Sequence, residues 1–416
     1  MTDRIIIGDA LQSLKTLESE SVHCCVTSPP YFGLRSYLEK DDPDKLLELG
    51  SEKTPEEYLE KMVIVFREVK RVLRSDAVLF LNMGDSYASG KGTCFNPGGG
   101  DCSLEANRKD KGAYPLDRGN KSTLSRSGLK PKDLIGMPWA LAFALRDDGW
   151  WLRSDIIWAK PNPMPESVTD RPTKSHEYLF LLTKSANYYF DQEAVREPVA
   201  ESTIGRGPVD FGGAKGRQYK TDIQPNDPNY RGGSEQWGRM FDYKESCKNG
   251  RNLRSVWTIP TEPTKDAHFA TFPRKLVEPF IKAGTSERGA CPQCLAPWVR
   301  VVEKRGGTTG KSWHDHNSDS EKGQSQGSHP GGVGAREAKA GNPYQVVSTG
   351  WRPSCSHGFD PIPSTVLDCF AGTGTTGRVA RDLGRNFILI ELNPKYLQFM
   401  ENKVVDAFCQ PEVVTL

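Results

Sequence analysis

The stretch Asp368-Cys-Phe-Ala-Gly-Thr-Gly-Thr-Thr-Gly377 follows a predicted strand, Thr365–Phe370, and runs into a helical pattern over Gly374–Leu383. Gly372, Gly374 and Gly377 fit the spacing G-x-G-x-x-G, in which glycines let the backbone pass close to a ligand and let the helix pack against the strand. Glu391 stands 19 residues after Gly372, at the end of the next predicted strand, Asn386–Glu391. A carboxylate there accepts hydrogen bonds from ribose hydroxyls. Taken alone, the pattern is a dinucleotide fingerprint and supports an NAD-dependent oxidoreductase. Two details point away from that reading. Asp368, at the strand end, suits a ligand ammonium rather than a pyrophosphate. Only 39 residues follow Gly377, too few for the rest of a nucleotide-binding sheet, so the remaining strands are expected from the N-terminal part of the chain.

Those strands are readable. Ile5–Ile7, Val22–Thr27, Ala77–Leu81, Trp151–Lys160 and Glu177–Thr183 read as strands, and Ala186–Phe190 as a partner of the last across a tight turn at Lys184-Ser185. Pro55–Leu73, Asp133–Arg146 and Lys395–Phe408 read as helices. Strands alternating with helices predict an α/β fold with a mostly parallel sheet. Three glycine- or serine-rich stretches interrupt the pattern, at about 89–132, 203–254 and 305–342. The last of these is expected to be a flexible loop. Between Arg108 and Lys132, eight basic residues face two acidic ones, a net +6, and the second stretch carries ten against six, a net +4.

Val26-Thr-Ser-Pro-Pro-Tyr-Phe-Gly33 follows the strand at Val22. Paired prolines remove two backbone donors and stiffen the turn. Carbonyl oxygens and the Ser28 hydroxyl are then free to accept hydrogen bonds from an amino group, and Tyr31 offers a face on which a planar base can stack. With the glycine loop, this geometry suits an exocyclic amine held beside an electrophile.

On these two motifs the chain resembles the DNA amino-methyltransferases, which use S-adenosylmethionine to methylate N4 of cytosine or N6 of adenine. Ser28-Pro29-Pro30-Tyr31 matches the family's catalytic motif, and Phe370-Ala371-Gly372-Thr373-Gly374 its cofactor motif. The catalytic motif comes first, as in the permuted β-type order. The resemblance extends over Leu81–Tyr87, Trp151–Lys160, Asp170–Thr183 and His268–Pro273. It implies a Rossmann-like methyltransferase fold with a mostly parallel twisted sheet, a target-recognition region and base flipping from double-stranded DNA. Catalysis is expected from Ser28, Pro29, Pro30 and Tyr31. Cofactor contacts are expected from Asp9 and Ala10 after the first strand, from Phe272, and from Asp368, Phe370, Ala371, Gly372, Gly374, Thr375 and Thr376. Glu391 and Asn393 complete that set. Ser at the first motif position resembles the N4-cytosine subgroup, with N6-adenine as the alternative. No covalent intermediate is needed, and Cys24 and Cys25 read as core rather than as nucleophiles. Protein or RNA methylation and a non-catalytic DNA-binding role are the competing classes.

Cys291-Pro-Gln-Cys294 with Cys355-Ser-His357 offers four nitrogen and sulfur ligands, the set for a tetrahedral structural zinc that closes the base of the flexible loop as a zinc ribbon. His314, His316 and His329 are alternatives to His357. Arg206, Arg217, Arg231, Arg239, Arg251 and Arg254 are candidates for phosphate or guanine contacts. The expected layout is a catalytic part over 1–190, target recognition over 191–262, a cofactor-pocket segment over 263–290, the zinc-ribbon insertion over 291–357 and the S-adenosylmethionine part over 358–416.

Across 416 residues, 55 Lys and Arg balance 53 Asp and Glu, which excludes a polycationic packaging protein but not a nucleic-acid partner, since charge can be segregated. No apolar run approaches the length of a membrane span, and the start is too short in apolar residues for a secretory signal. Ten cysteines are too few for a disulfide scaffold. A cytoplasmic enzyme of a bacterial, archaeal or phage-infected cell is expected, with any cognate restriction endonuclease on a separate chain.

Overall fold

The computed structural model describes residues 3–34, 38–39, 41–88, 129–130, 132–201, 250–262, 272–305, 345–405 and 409–416. Strand β1 (Arg4–Ile7) passes through Asp9 into helix α1 (Ala10–Lys15), which Asp9 caps by accepting from the Gln12 amide at 2.9 Å. Strand β2 (Val22–Thr27) is buried at every position, as expected of a central parallel strand. Helix α2 (Pro55–Val72) has Thr54 as its N-cap, Pro55 in its first turn, Glu56 and Glu57 at its positive end, and Lys70 and Arg71 at its negative end. Tyr58, Met62, Val65, Phe66 and Val69 form its buried face. Next come β3 (Leu73–Met83), α3 (Met137–Asp147), β4 (Trp151–Ala159), β5 (His176–Thr183), β6 (Val256–Thr258) and α4 (Arg274–Gly284). The chain continues through β7 (Trp298–Arg305), β8 (Gln345–Pro353), β9 (Thr365–Asp368), α5 (Thr375–Asp382), β10 (Asn386–Glu391), α6 (Leu397–Val404) and β11 (Glu412–Thr415).

Nine strands form one sheet in the order β11-β1-β10-β9-β2-β3-β5-β4-β6, and β7 pairs with β8 separately. Only β5 is antiparallel to its neighbours. The fold is therefore α/β with a mostly parallel sheet. The permuted arrangement is visible in the register. β1, from the start of the chain, lies between two late strands, pairing Arg4 with Ile388 of β10 and with Glu412 of β11. Helix α4 seals one face, with Phe280 stacked on Phe80 of β3 at 4.4 Å and on Trp257 at 4.8 Å. Each such ring pair adds about 0.5–1.5 kcal/mol beyond its area burial.

The predicted strand Ala186–Phe190 does not form. Both edges of β5 are already taken by β3 and β4, so no edge is left for a hairpin partner. The segment instead folds back through the Tyr189 amide, which donates to the Asp76 carbonyl at 2.8 Å.

The chain divides into two compact units. One comprises Met1–Val195, Arg254–Val299 and Arg352–Leu416, and the other Arg196–Leu253 and Arg300–Trp351. The large sheet belongs to the first. In the second, Glu197 and Arg251 pair through backbone and side chains, and the Arg300 guanidinium lies over the Trp351 ring at 4.3 Å. No helix among the described residues is long and apolar enough to cross a membrane.

Candidate functional site

The turn from β9 to α5 needs its glycines. Gly374 has a φ of +78°, and a Cβ there would lie 3.0 Å from Met400. A Cβ on Gly377 would come within 2.7 Å of Leu389, so α5 sits close on β10 because this position has no side chain. Glu391, at the end of β10, ties the turn in place. Its Oε2 accepts from the Gly372 amide at 2.8 Å and its Oε1 from the Asn393 amide at 3.0 Å. Burial pushes its carboxyl up to about 7 against these two amides, and the nearby Asp368 adds to the rise. Asp368 is fully buried; its Oδ1 accepts from Thr27 at 2.7 Å and from the Phe370 amide at 3.1 Å, its Oδ2 from Thr376 at 2.6 Å. Burial raises it to about 6 although all three donors oppose the rise.

Ser28–Tyr31 leaves the end of β2, next to β9 in the sheet. The Pro30 carbonyl is taken by the Tyr58 hydroxyl of α2 at 2.8 Å, whereas no described residue donates to the Pro29 carbonyl. The Tyr31 hydroxyl donates to Glu177 Oε2 at 2.9 Å and accepts from Asn82 Nδ2 at 3.1 Å and from Ser28 Oγ at 3.4 Å. Asn82 Nδ2 also reaches Glu177 Oε2 at 3.0 Å, and Lys160 Nζ donates to Glu177 Oε1. Burial opposes charge on Glu177, but Lys160, Asn82 and Tyr31 outweigh it and hold the carboxyl below its ordinary value. Burial, and then the Glu177 charge, push the Tyr31 hydroxyl well above its ordinary value, so it stays a neutral donor.

Both halves open on one cavity of about 670 Å³. Asp9 and Ala10 line it from the β1 turn, and Ser28, Pro29, Pro30 and Tyr31 from the β2 turn. Phe370, Ala371, Gly372 and Thr375 line it from the glycine turn, with Glu391, Asn393 and Phe272 completing the predicted set. Asp368, Gly374 and Thr376 lie off the wall. Asp368 and Thr376 bond each other beneath the turn, and Asp368 does not face the cavity. Sequence reading had not singled out Asn82, Trp158, Lys160 or Glu177, all of which line the same space. All four lie in the segments Leu81–Tyr87, Trp151–Lys160 and Asp170–Thr183 that carry the resemblance, and Glu177 is a charged residue near the start of an otherwise apolar strand.

A second cluster lies apart from this cavity. Cys291, Cys294, Cys355 and His357 come together with their ligand atoms all within 4.8 Å of one another. Cys291 Sγ and His357 Nδ1 are 3.5 Å apart. An edge of about 3.5 Å is what a tetrahedral site with metal–sulfur and metal–nitrogen bonds of ordinary length requires. Leu295, with a φ of +57°, turns the Cys291–Cys294 knuckle. Desolvation opposes a thiolate at Cys291, but the Cys294 and Gln293 amides, with His357 and Cys355, bring it down to about 6. The knuckle docks on the sheet. His23 of β2 accepts from the Thr365 amide at 3.0 Å through Nδ1, so its Nε2 carries the hydrogen and donates to the Leu295 carbonyl at 2.9 Å. Arg74 donates to the Cys294 carbonyl at 2.6 Å.

Of the arginines proposed to meet DNA, Arg206, Arg217, Arg231 and Arg239 lie outside the described residues, as do His314, His316 and His329 and most of the basic 89–132 stretch. Arg251 pairs with Glu197 at 3.0 Å, and the Arg254 carbonyl accepts from the Trp257 indole.

A family model described as DNA methylase, N6_N4_Mtase, matches residues 22–291 and 302–402. The chain is 35% identical over 397 residues to the type II methyltransferase M.XycI of Xanthomonas campestris pv. cyanopsidis, covering 95% of this chain and 86% of that one. It is 32% identical over 402 residues to type II methyltransferase M.SmaI of Serratia marcescens, covering 97% and 90%. Type II methyltransferase M.Cfr9I of Citrobacter freundii is 42% identical over 284 residues, covering 67% and 71%. With the glycine turn and the Ser-Pro-Pro-Tyr turn meeting in one cavity, these matches establish that the chain belongs to the N6/N4 DNA methylase family, whose members carry out S-adenosylmethionine-dependent methylation of amino groups on DNA bases.

Proposed function

We propose that the protein methylates N4 of cytosine in a specific duplex sequence, on a base turned out of the helix. The observation that carries the reading is the shared cavity, with Glu391 and the glycine turn on one wall and Ser28–Tyr31 on another. The Cβ direction of Gly372 opens on free space, which leaves room for a ligand against the backbone. When bound, S-adenosylmethionine would supply an electrophilic methyl carbon, whose bond to the positively charged sulfur breaks to leave a neutral thioether as the amine nitrogen gains the methyl and gives up one proton. Glu391 would accept from the ribose hydroxyls and Asp9 from the adenine amine. Ser28 Oγ and the Pro29 carbonyl would accept the two hydrogens of the target amine and favour a more tetrahedral nitrogen. Tyr31 would stack on the base, its ring angle fixed by Glu177 and Asn82. Rate enhancement then comes largely from alignment, with no covalent link to the enzyme. Ser28 at the head of the motif supports cytosine, since the family's N4 subgroup carries Ser there.

Cys291, Cys294, Cys355 and His357 would hold a structural zinc, and a donor set of three sulfurs and one nitrogen fits that metal. Its place away from the cavity, bonded to β2 through His23, supports a stabilising role. The type II relatives support a role in modification beside a separate endonuclease.

Sequencing the DNA of cells that express the chain, by a method that separates N4-methylcytosine from N6-methyladenine, tests the reading. N4-methylcytosine at one short motif is expected, and its absence from a Ser28→Ala strain. N6-methyladenine at the motif would replace the cytosine assignment, and an unmarked genome would overturn both.

A further inference from the structure

A base can reach Ser28–Tyr31 only by leaving the duplex, because the motif lies inside a cavity rather than on a groove-sized surface. Extrusion leaves a gap in the stack. Proteins that distort DNA commonly fill such gaps with an apolar side chain, Met and Leu among them.

The rim of the cavity carries such side chains. Met164 lines the cavity yet is 84% exposed. It stands in Lys160-Pro-Asn-Pro-Met-Pro165, where prolines at 161, 163 and 165 fix the backbone around it. The loop is anchored at its base. Asn162 donates to Thr261 Oγ1 at 3.0 Å and accepts from the Thr261 amide at 3.1 Å, and the Lys160 amide donates to the Ser175 carbonyl at 2.8 Å. A flexible thioether is thus held out on a stiffened support without being packed. Leu47 also borders the cavity and is 45% exposed, and the adjacent Leu46 is 90% exposed. Single exposed apolar residues are common, but several around the mouth of one cavity mark a contact surface. The loop also leads directly into the site, since Lys160 at its start donates to Glu177.

We propose that Met164 is a wedge that enters the base stack at the position vacated by the target base. The partner is duplex DNA carrying the recognition sequence, and the occupant of the rim is the gap itself. A side chain in that role lowers the cost of extrusion. It leaves cofactor binding and the methyl-transfer geometry untouched. The proposal rests on the methylation of a flipped base argued above.

The test uses the full chain and two duplexes bearing the motif mapped by sequencing. In one the target base is paired, and in the other it faces a mismatched base and is already cheap to extrude. For Met164→Ala we expect methylation of the paired duplex to fall about tenfold, and the mismatched duplex to be methylated within about twofold of the wild-type rate. Met164→Leu should behave like the wild type, and S-adenosylmethionine affinity should be the same in all three proteins. A 2-aminopurine at the target position should be less fluorescent with Met164→Ala than with the wild type, reporting a base that remains stacked. Equal losses on both duplexes, or no loss on either, would overturn the wedge. If the wild type methylates neither duplex, the proposed function fails instead. A wild type active on both with an unaffected Met164→Ala variant removes the wedge alone.

Discussion

Replacing Glu177 by Gln tests whether the buried network holds Tyr31 or merely fills space. Glu177 accepts from Tyr31 at 2.9 Å, from Asn82 at 3.0 Å and from Lys160. An amide keeps the size but removes the charge, so Lys160 loses its counter-ion and two charge-assisted bonds become neutral. Breaking a fully buried ion pair costs roughly 3–5 kcal/mol. Lys160 and Glu177 are 19% and 17% exposed, so water recovers part of that, and a loss of about 2–3 kcal/mol follows. The fold has a way to absorb the change. Asn82 Oδ1 is buried with no partner, and turning that amide over would present it to the new N–H. The variant should therefore fold, with Tyr31 less firmly oriented. Urea unfolding should show the lost stability, and calorimetry should show S-adenosylmethionine affinity within about twofold of wild type. Single-turnover transfer of a labelled methyl group should slow by roughly 10- to 100-fold, the usual scale for misplacement near a reacting atom. If stability falls by the expected amount while the transfer rate stays at the wild-type value, Glu177 does not position Tyr31 and the reasoning is wrong.

Gly84→Ala should act on the same ring from the other side. Its Cβ would lie 2.7 Å from Tyr31 Cε2, and the displaced ring should lower turnover by about tenfold or more with cofactor affinity unchanged, checked by single-turnover kinetics and calorimetry. Cofactor affinity itself should depend on pH. If Glu391 accepts from the ribose hydroxyls as proposed, it must be ionised to do so, and its carboxyl is raised to about 7, so affinity should fall as pH drops through 7 and Glu391→Gln should flatten that profile in calorimetry. The sign for the ligand-free fold is opposite. A carboxyl raised from its ordinary 4.5 to about 7 favours the protonated folded state, so this contribution to stability is present below 4.5 and lost as pH rises through 7, readable in urea titrations. Purified protein should contain roughly one zinc per chain by atomic emission, and Cys291→Ser should lose both the metal and stability. Loss of zinc with stability unchanged would argue against a structural role.

The two motifs were readable because their chemistry is local. Gly372, Gly374 and Gly377 act through backbone shape within one turn, and Ser28–Tyr31 through the stiffness of adjacent prolines. The placement of β1 beside β10 follows from the permuted motif order that the family resemblance implies, since in the unpermuted order the N-terminal strand would come after the Glu391 strand. The segments that carry the supports of the site fall within the resemblance, but the contacts among those supports were not readable. Lys160 and Glu177 meet because β4 and β5 run antiparallel with Trp158 opposite Glu177, a register that no short pattern encodes. His23 looks like any strand residue until Thr365 and Leu295 arrive on its two nitrogens from distant parts of the chain. Ala186–Phe190 failed for the converse reason. Its aromatic residues have the local preference of a strand, but β5, the hairpin partner it needs, has both edges occupied. Asp368 was assigned to the ligand from its position alone, whereas Thr27 and Thr376 had already claimed its oxygens.

Strand β1 has consequences for how the protein is made. It is synthesised long before its hydrogen-bonding partners, Ile388–Glu391 and Glu412–Thr415. At translation rates of about 5–20 residues per second, Ile5 and Ile6 wait roughly 20–80 s before either neighbour exists. During that interval the nascent chain has the Ser28–Tyr31 turn but not the glycine turn that forms the other wall of the cavity. Chains that stop short of β10 should therefore be inactive, and an apolar edge must be kept from other strands until β10 emerges. Chaperone demand should be greatest before β10 emerges.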